Sequence, residues 1–452
     1  LGLRFQEVVP VYSRPWQPLL QNGANLLWIG DGWNWYISGL ILVLGGAGIL
    51  LELNNRRQLA VAQNRDRIHT NLAIHLSVLA GALLFVGSGN LLTAILTWVI
   101  MDLFILVRSA ARMDLAQGLD ARTQLQQSQA KGLSLLGALL LLIALLPAGP
   151  TGPGQAFQDG VLPLETVALM LAAAAIRAGL YPFHLWLLPT DRDHVNLSER
   201  LLDHMVPVLS GLWLMGWTMG LGAEVILLRP DVLTILVLSL LGSALTAWTA
   251  SDQPTYSTYV LVTSAGVAML AGALSLNRGP SAMIWPTTVF ALGGGLWLIG
   301  GQVWRRMGWQ LPVSVGALAL AGVPFTPGFL VQPSLARLWL AGVIFLLLFF
   351  FYVVAQSMLI ATTLRSWVSL WQPSPDEKAN GDVVRLLIAA IGLGLPLAVA
   401  GFLPGTVAAL ASLPNAIPDM LGTPPSVVAE APVWITLAIP LALGIGLVWV
   451  RP

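Results

Sequence analysis

The sequence contains no cysteine, and it contains few charged residues. The absence of cysteine excludes disulfide bonds, cysteine-ligated zinc sites and cysteine-ligated iron–sulfur clusters from this chain. Asp, Glu, Lys and Arg together make up only 10% of the 452 residues, whereas soluble domains carry roughly 25%. Because 56% of the residues are hydrophobic, the composition predicts a polytopic membrane protein.

Sites for chemistry are equally scarce. No two of the five histidines are separated by three or four residues, so their spacing does not favour a metal site. The net charge of +1 and the lack of a basic cluster with interleaved aromatics argue against a nucleic-acid partner. No phosphate loop, dinucleotide fingerprint or nucleophile elbow stands out. We expect no catalytic site, cofactor or metal on this chain, which could belong to an enzyme only as one component of a larger complex.

Apolar segments long enough to cross a bilayer recur along the chain with short loops between them. They predict an all-α membrane bundle of about 13 transmembrane helices. The predicted spans are residues 33–53, 72–88, 90–108, 133–147, 162–181, 204–225, 231–249, 256–276, 282–304, 310–332, 335–362, 384–412 and 433–450. Residues 1–28 lack a compact apolar core and are expected to form an extramembrane N-terminal segment. Residues 29–452 are expected to form a single transmembrane domain.

The distribution of basic residues orients this topology. If the helices alternate, sixteen Lys and Arg residues, including Arg108 and Arg200, fall in loops on one side, and five fall on the other. Cytoplasmic loops carry an excess of Lys and Arg. The bias predicts a non-cytoplasmic N-terminus and a cytoplasmic C-terminus.

Two predicted spans contain helix breakers at membrane depth. One carries Arg177 and ends at Pro182, and the other contains Pro324 and Pro327. A guanidinium at membrane depth costs at least a few kcal/mol, and broken helices with buried charges are typical of transporters. Alternatively, Arg177 reaches a lipid headgroup, because it lies near the helix end. Two broken helices that start from opposite sides indicate an inverted repeat, although two ordinary kinked helices would give the same pattern.

Several stretches resemble the antiporter-like subunits of respiratory complex I and of the multisubunit cation–proton antiporters. The segment RAGLYPFHLWLLP resembles the first broken-helix signature of that superfamily, with arginine for its lysine and one extra leucine. The other matching stretches are residues 3–7 with 15–16, residues 30–34, residues 259–269 and residues 316–329. The resemblance implies an antiporter-like fold with a first repeat at about 72–225, a second at about 231–365 and C-terminal helices at 384–450.

This superfamily also implies a setting. Its members are integral proteins of energy-coupling membranes, of the bacterial inner-membrane type or the organellar, thylakoid type. The expected partners are therefore the lipid bilayer and other membrane subunits of a multisubunit complex.

The departures from the family pattern fall on its proton path. Arg177 replaces a relay lysine, and arginine does not deprotonate in proteins. Val99 stands at the family's glutamate position, with Asp102 three residues on. Gly294 stands at the central lysine, and Gln332 and Pro333 stand at the later charged pair. The resemblance therefore implies a channel that has lost its titratable groups in the second half.

The remaining ion-path candidates lie mostly in the first half. They are Asp102, Glu165, Arg177, His184, Asp203 and His204. An Asp102–Arg177 pair across neighbouring helices would explain how both charges are tolerated. Glu165 could instead face headgroups, His184 could only cap the broken helix, and His204 could be an ordinary interfacial histidine.

Three functions stay open at this point. The first is a membrane-arm subunit of a complex I-related assembly (NADH- or ferredoxin:quinone oxidoreductase-like), degenerate as a proton channel and largely structural. The second is an active proton or cation translocator with an altered path through Asp102, Glu165 and Arg177. The third is the membrane component of a hydrogenase-like or inorganic-carbon-uptake complex whose chemistry lies on other subunits.

Overall fold

In the computed structural model, a short β-hairpin precedes a bundle of α-helices. The structure describes residues 9–16, 25–59, 65–113, 121–149, 152–158, 161–188, 197–221, 224–275, 279–340, 342–369, 383–404 and 431–450. The hairpin strands are β1 (Val11–Pro15) and β2 (Asn25–Ile29), which pair antiparallel. Glycine, proline and the high density of Leu, Ala and Val decide the rest, because apolar residues without breakers form helices in a bilayer.

The first seven helices build the amino-terminal half. They are α1 (Gly32–Leu59), α2 (Arg65–Val86), α3 (Leu91–Met113), α4 (Ala121–Ala148), α5 (Leu164–Arg177), the short α6 (Leu197–Glu199) and α7 (Val206–Gly220). A 3-10 turn, Phe183–Leu187, follows α5 after the proline break. A π-helical turn, Arg200–Met205, joins α6 to α7 without interruption.

The remaining helices begin with α8. They are α8 (Glu224–Thr249), α9 (Gln253–Leu274), α10 (Pro280–Thr288), α11 (Gly295–Met307), α12 (Leu311–Ala321), α13 (Gln332–Leu340), α14 (Val343–Ser369), α15 (Val383–Phe402) and α16 (Ala431–Trp449). A second π-helical turn, Val289–Gly294, joins α10 to α11. A second 3-10 turn, Pro327–Val331, leads from the break after α12 into α13.

Eight helices of the described ranges are long and apolar enough to cross a membrane. They are Gly32–Glu52, Leu91–Arg108, Arg229–Thr249, Gln253–Leu274, Pro280–Met307, Phe345–Arg365, Val383–Phe402 and Ala431–Trp449. Leu72–Val86, Gly132–Ala148 and Leu311–Ala321 are shorter apolar helices. The all-α membrane class is confirmed, whereas the expected number of 13 spans is not.

Both predicted broken helices are present. After Arg177, the chain turns at Gly179, whose φ of +65° is one that side chains rarely adopt. After Ala321, Gly322 adopts φ +77°, and Pro324 and Pro327, which have no N–H to donate, keep the helix from continuing. The sequence nevertheless places the second break wrongly within its span. The helix resumes as α13 up to Leu340, so the next span begins at Val343 and not at 335.

Two other expectations concern the carboxyl end. The predicted span 384–412 is shorter in the structure, because α15 ends at Phe402. Residues 405–430, which include most of the predicted proline-rich loop, lie outside the described residues.

The entry to α1 is held by a buried hydrogen-bond network. Asp31 accepts a hydrogen bond from the backbone N–H of Asn34 at 2.8 Å and thus caps the helix. The Asn34 side-chain oxygen accepts from the indole N–H groups of Trp213 (2.6 Å) and Trp217 (3.2 Å). Gln158 donates to the second Asp31 oxygen at 2.9 Å. The motif at residues 30–34 therefore fixes α1 against α7.

Candidate ion-pair site

The buried charge of the first broken helix has an acidic partner. Arg177 is the last residue of α5 and is only 3% exposed. Its Nη1 donates to Oδ1 of Asp102, which lies on α3. Ser134 on α4 donates to the other carboxylate oxygen at 2.7 Å and accepts from Arg177 at 3.1 Å. Three helices thus meet at one neutral ion pair, and the expected contact between Asp102 and Arg177 is present.

An aromatic ring covers the guanidinium. The Arg177 Cζ atom lies 4.4 Å from the centroid of the Trp98 ring, within the range of a cation–π interaction. Gly137 makes room for the indole, because a Cβ atom there would lie 2.6 Å from the Trp98 ring. The Nε and Nη2 atoms of Arg177 have no hydrogen-bond partner among the described residues. The ring face and the single carboxylate are therefore the described groups that offset the charge.

The packing of α7 sets where α5 stops. A Cβ atom on Gly211 would lie 2.5 Å from the backbone nitrogen of Ala178 and 2.8 Å from the carbonyl carbon of Arg177. Only a glycine lets the backbone of α7 approach the end of the broken helix this closely. Gly211 therefore helps to fix the position of the Arg177 backbone.

A second ion pair lies on the same helix. Arg108 on α3 and Asp203 in the π-helical turn are 2.8 Å apart, and their side chains are 4% and 16% exposed. The sequence counted Arg108 and Arg200 as loop residues, and this is wrong. Arg108 is 3% and Arg200 6% exposed, because α3 runs on to Met113 and the π-helical turn sits inside a continuous helix. Arg200 donates to Ser257 and to the Pro254 carbonyl oxygen.

The other predicted site residues do not join the Asp102–Arg177 pair. Glu165 is exposed in the first turn of α5. It lies twelve residues from Arg177, or about 18 Å along the helix. His184 is buried, its Nε2 lies 2.8 Å from the Tyr259 hydroxyl, and its ring stacks on Tyr181. His184 therefore ties the first broken helix to α9.

The central lysine position of the family is filled by packing. A Cβ atom on Gly294 would touch Leu261 at 3.0 Å and Met205 at 3.5 Å. His204 is partly exposed and lines a small cavity of about 10 Å³ beside Phe290. The two π-helical turns thus meet across an apolar contact.

Trp98→Phe tests the aromatic cover. A phenyl ring binds a cation more weakly than an indole, so the free energy of unfolding is expected to fall by about 1 kcal/mol. Thermal unfolding in detergent measures it. The same substitution on a background of Asp102→Asn with Arg177→Gln is the control, because no cation remains there. An equal loss in both backgrounds would assign the effect to packing alone.

Comparisons with known proteins agree with this architecture. No protein-family model matches the sequence. A curated protein of Rhizobium meliloti (strain 1021), described as the probable A/B component of a K(+)/H(+) antiporter, is 24% identical over 348 residues, which is 71% of this chain and 33% of that protein. The structure of the Mrp complex from Dietzia sp. DQ12-45-1b contains a chain with a TM-score of 0.77 and 18% identity, covering 99% of this chain and 51% of that one.

A second solved structure is more distant. A chain of the membrane-bound sulfane sulfur reductase, an archaeal respiratory membrane complex, matches with a TM-score of 0.56 and 16% identity, covering 96% of this chain and 67% of that one. This chain spans about one third of the curated relative and about half of the Mrp chain. The antiporter-like fold inferred from the motifs is confirmed.

Proposed function

We propose that this chain is a membrane-arm subunit of a complex I-related, antiporter-type assembly, with a mainly architectural role and no complete proton path of its own. The fold supports the assembly, because the similar solved chains belong to multisubunit membrane complexes. Other membrane subunits are therefore the partners to expect.

The observation that carries the architectural role is the Arg177–Asp102 pair. A proton relay needs groups that gain and lose protons, and arginine keeps its proton. The guanidinium stays charged, and a permanently charged partner favours the carboxylate form of Asp102. The pair joins α3, α4 and α5 through Asp102, Ser134 and Arg177. It therefore serves as a fixed cross-link better than as a station for moving protons.

The second half supports the same conclusion. Between Gln253 and Gln302 the only charged residue of the sequence is Arg278. Gly294 is packed against Leu261 and Met205 where the family pattern has lysine. A proton moving through hydrocarbon contacts without a base meets a prohibitive cost.

A second candidate function is active translocation by an altered path. Two observations favour it. The first half keeps two buried ion pairs, Asp102–Arg177 and Arg108–Asp203, and buried ionisable residues commonly mark ion paths. The curated relative is described as part of a K(+)/H(+) antiporter.

One experiment separates the two functions. The double variant Asp102→Asn with Arg177→Gln removes both charges and keeps two side chains that can hydrogen-bond. The complex is purified through a tag on this chain and reconstituted into vesicles with a pH-sensitive dye inside. Proton flux under an imposed K⁺ or Na⁺ gradient is then compared with that of the unmodified complex.

We expect the double variant to assemble and to keep its proton flux within about twofold. Glu165→Gln is the matched control, because Glu165 is exposed and lies away from the pair. A loss of more than about tenfold, which corresponds to about 1.4 kcal/mol in the barrier, in a fully assembled complex would replace the architectural role with translocation. Recovery of the chain as an active monomer would contradict the proposed assembly.

A further inference from the structure

The break of the second half encloses a cavity that the proposed function does not use. The cavity measures about 20 Å³, enough for one water-sized particle. It lies between the end of α12, the start of α13 and the middle of α14. Its polar walls come from Ser264, Gln332 and Gln356, and its remaining walls are apolar or glycine.

Two buried oxygens at this cavity lack a partner. Gln332 is 2% exposed and Gln356 is 3% exposed. The Oε1 atom of each has no hydrogen-bond partner among the described residues. The amide nitrogen of Gln356 donates to the Leu320 carbonyl oxygen at 3.4 Å, which turns its oxygen the other way. Buried acceptors of this kind are normally satisfied, so the cavity calls for a ligand that supplies positive charge or hydrogens.

The glycines of the break add backbone oxygens to the wall. A Cβ atom on Gly322 would lie 3.3 Å from the Gly328 carbonyl oxygen, and a Cβ atom on Gly328 would meet the Ala319 carbonyl oxygen. Because neither glycine has a side chain, these carbonyl groups are not covered from the cavity side. Unwound backbone carbonyls beside the end of a half-helix are a common cation ligand set in transporters.

The charge of the wall restricts the ligand. None of the residues that line the cavity is charged. Divalent cations in proteins are held with carboxylates, so a neutral wall does not suit them. Neutral carbonyl oxygens do hold monovalent cations, as in potassium-selective pores.

We propose that this cavity binds a single alkali-metal cation, held by the amide oxygens of Gln332 and Gln356 and by the carbonyl groups of the break. The site goes beyond the proposed function and stands independently of whether the first half moves protons. It gives the second half a neutral, cation-binding centre where the family pattern has titratable groups.

Binding of radioactive rubidium, as a potassium probe, and of radioactive sodium tests the site. The complex purified through this chain is titrated with each ion in N-methylglucamine chloride, at constant ionic strength. We expect the unmodified complex to show one saturable site more than the double variant Gln332→Leu with Gln356→Leu, or that site to weaken by at least about tenfold. Gln302→Leu on α11, away from the cavity, is the matched control and is expected to keep the site.

Gln356→Leu alone is the second variant, because it leaves the start of α13 unchanged. Thermal unfolding of the unmodified complex gives an independent reading. Its midpoint is expected to rise with K⁺ or Na⁺ relative to N-methylglucamine, since a ligand that binds only the folded state stabilises it. Equal ion binding by the unmodified and variant complexes, or no cation-dependent shift in the midpoint, overturns the proposal and leaves the cavity to water.

Discussion

Asp102→Asn is expected to lower the free energy of unfolding by about 3–5 kcal/mol, because it removes one member of a buried ion pair and leaves the other charged. Arg177 is 3% exposed, and two of its three nitrogens have no described partner. It would have no carboxylate left to offset its charge. Thermal unfolding in detergent and the yield of assembled complex measure the effect.

The double variant Asp102→Asn with Arg177→Gln is expected to recover most of this loss. No uncompensated charge then remains in the bundle, and the two amides can bond to each other and to Ser134. Glu165→Gln is the control, because substitutions at exposed positions usually change stability by less than about 0.5 kcal/mol. A single Asp102→Asn variant as stable as the unmodified chain would show that the pair contributes nothing to the bundle.

Gly211→Ala is expected to cost about 1–3 kcal/mol through overpacking. The new methyl group would lie 2.5 Å from the Ala178 nitrogen and 2.8 Å from the Arg177 carbonyl carbon. Both are backbone atoms and cannot rotate away, so α7 and the end of α5 must separate. The separation displaces Arg177 from Asp102. Thermal unfolding measures the cost, and a structure of the variant would show the longer distance.

Gly301→Ala on α11 is the matched control. Gly301 is also a buried helical glycine, but a Cβ atom there meets nothing within 4 Å. Alanine favours a helix over glycine by about 1 kcal/mol, so this variant is expected to be neutral or more stable. If both variants gain stability alike, the close approach of α7 to α5 does not constrain the site.

The parts of this fold that the sequence predicts are those governed by local chemistry. Proline and glycine interrupt helices wherever they stand, so both breaks could be located from residues such as Pro182 and Pro324. The Asp102–Arg177 contact was also accessible. A buried arginine needs an acid, and the family resemblance makes the helices of these two residues neighbours.

The Arg108–Asp203 pair was not accessible in this way. Asp203 lies in a π-helical turn, and such a turn carries one more residue than an α-helical turn. The faces of the helix shift there, and no periodicity of 3.6 residues reveals the shift. Arg108 ends the apolar part of α3 and therefore resembles a loop residue. The Gln332–Gln356 cavity was hidden for a different reason, because the two residues lie on separate helices and only packing brings them together.

The two ion pairs also determine how the bundle responds to an electric field. α3 carries one negative and one positive residue, Asp102 and Arg108, and each is neutralised by a residue from another segment. In an energised membrane, one elementary charge moving through 100 mV gains about 2.3 kcal/mol. A neutral pair that moves as a unit gains nothing. The membrane voltage therefore does no net work on these helices unless a pair is pulled apart, and the first half stays mechanically indifferent to whether the membrane is charged.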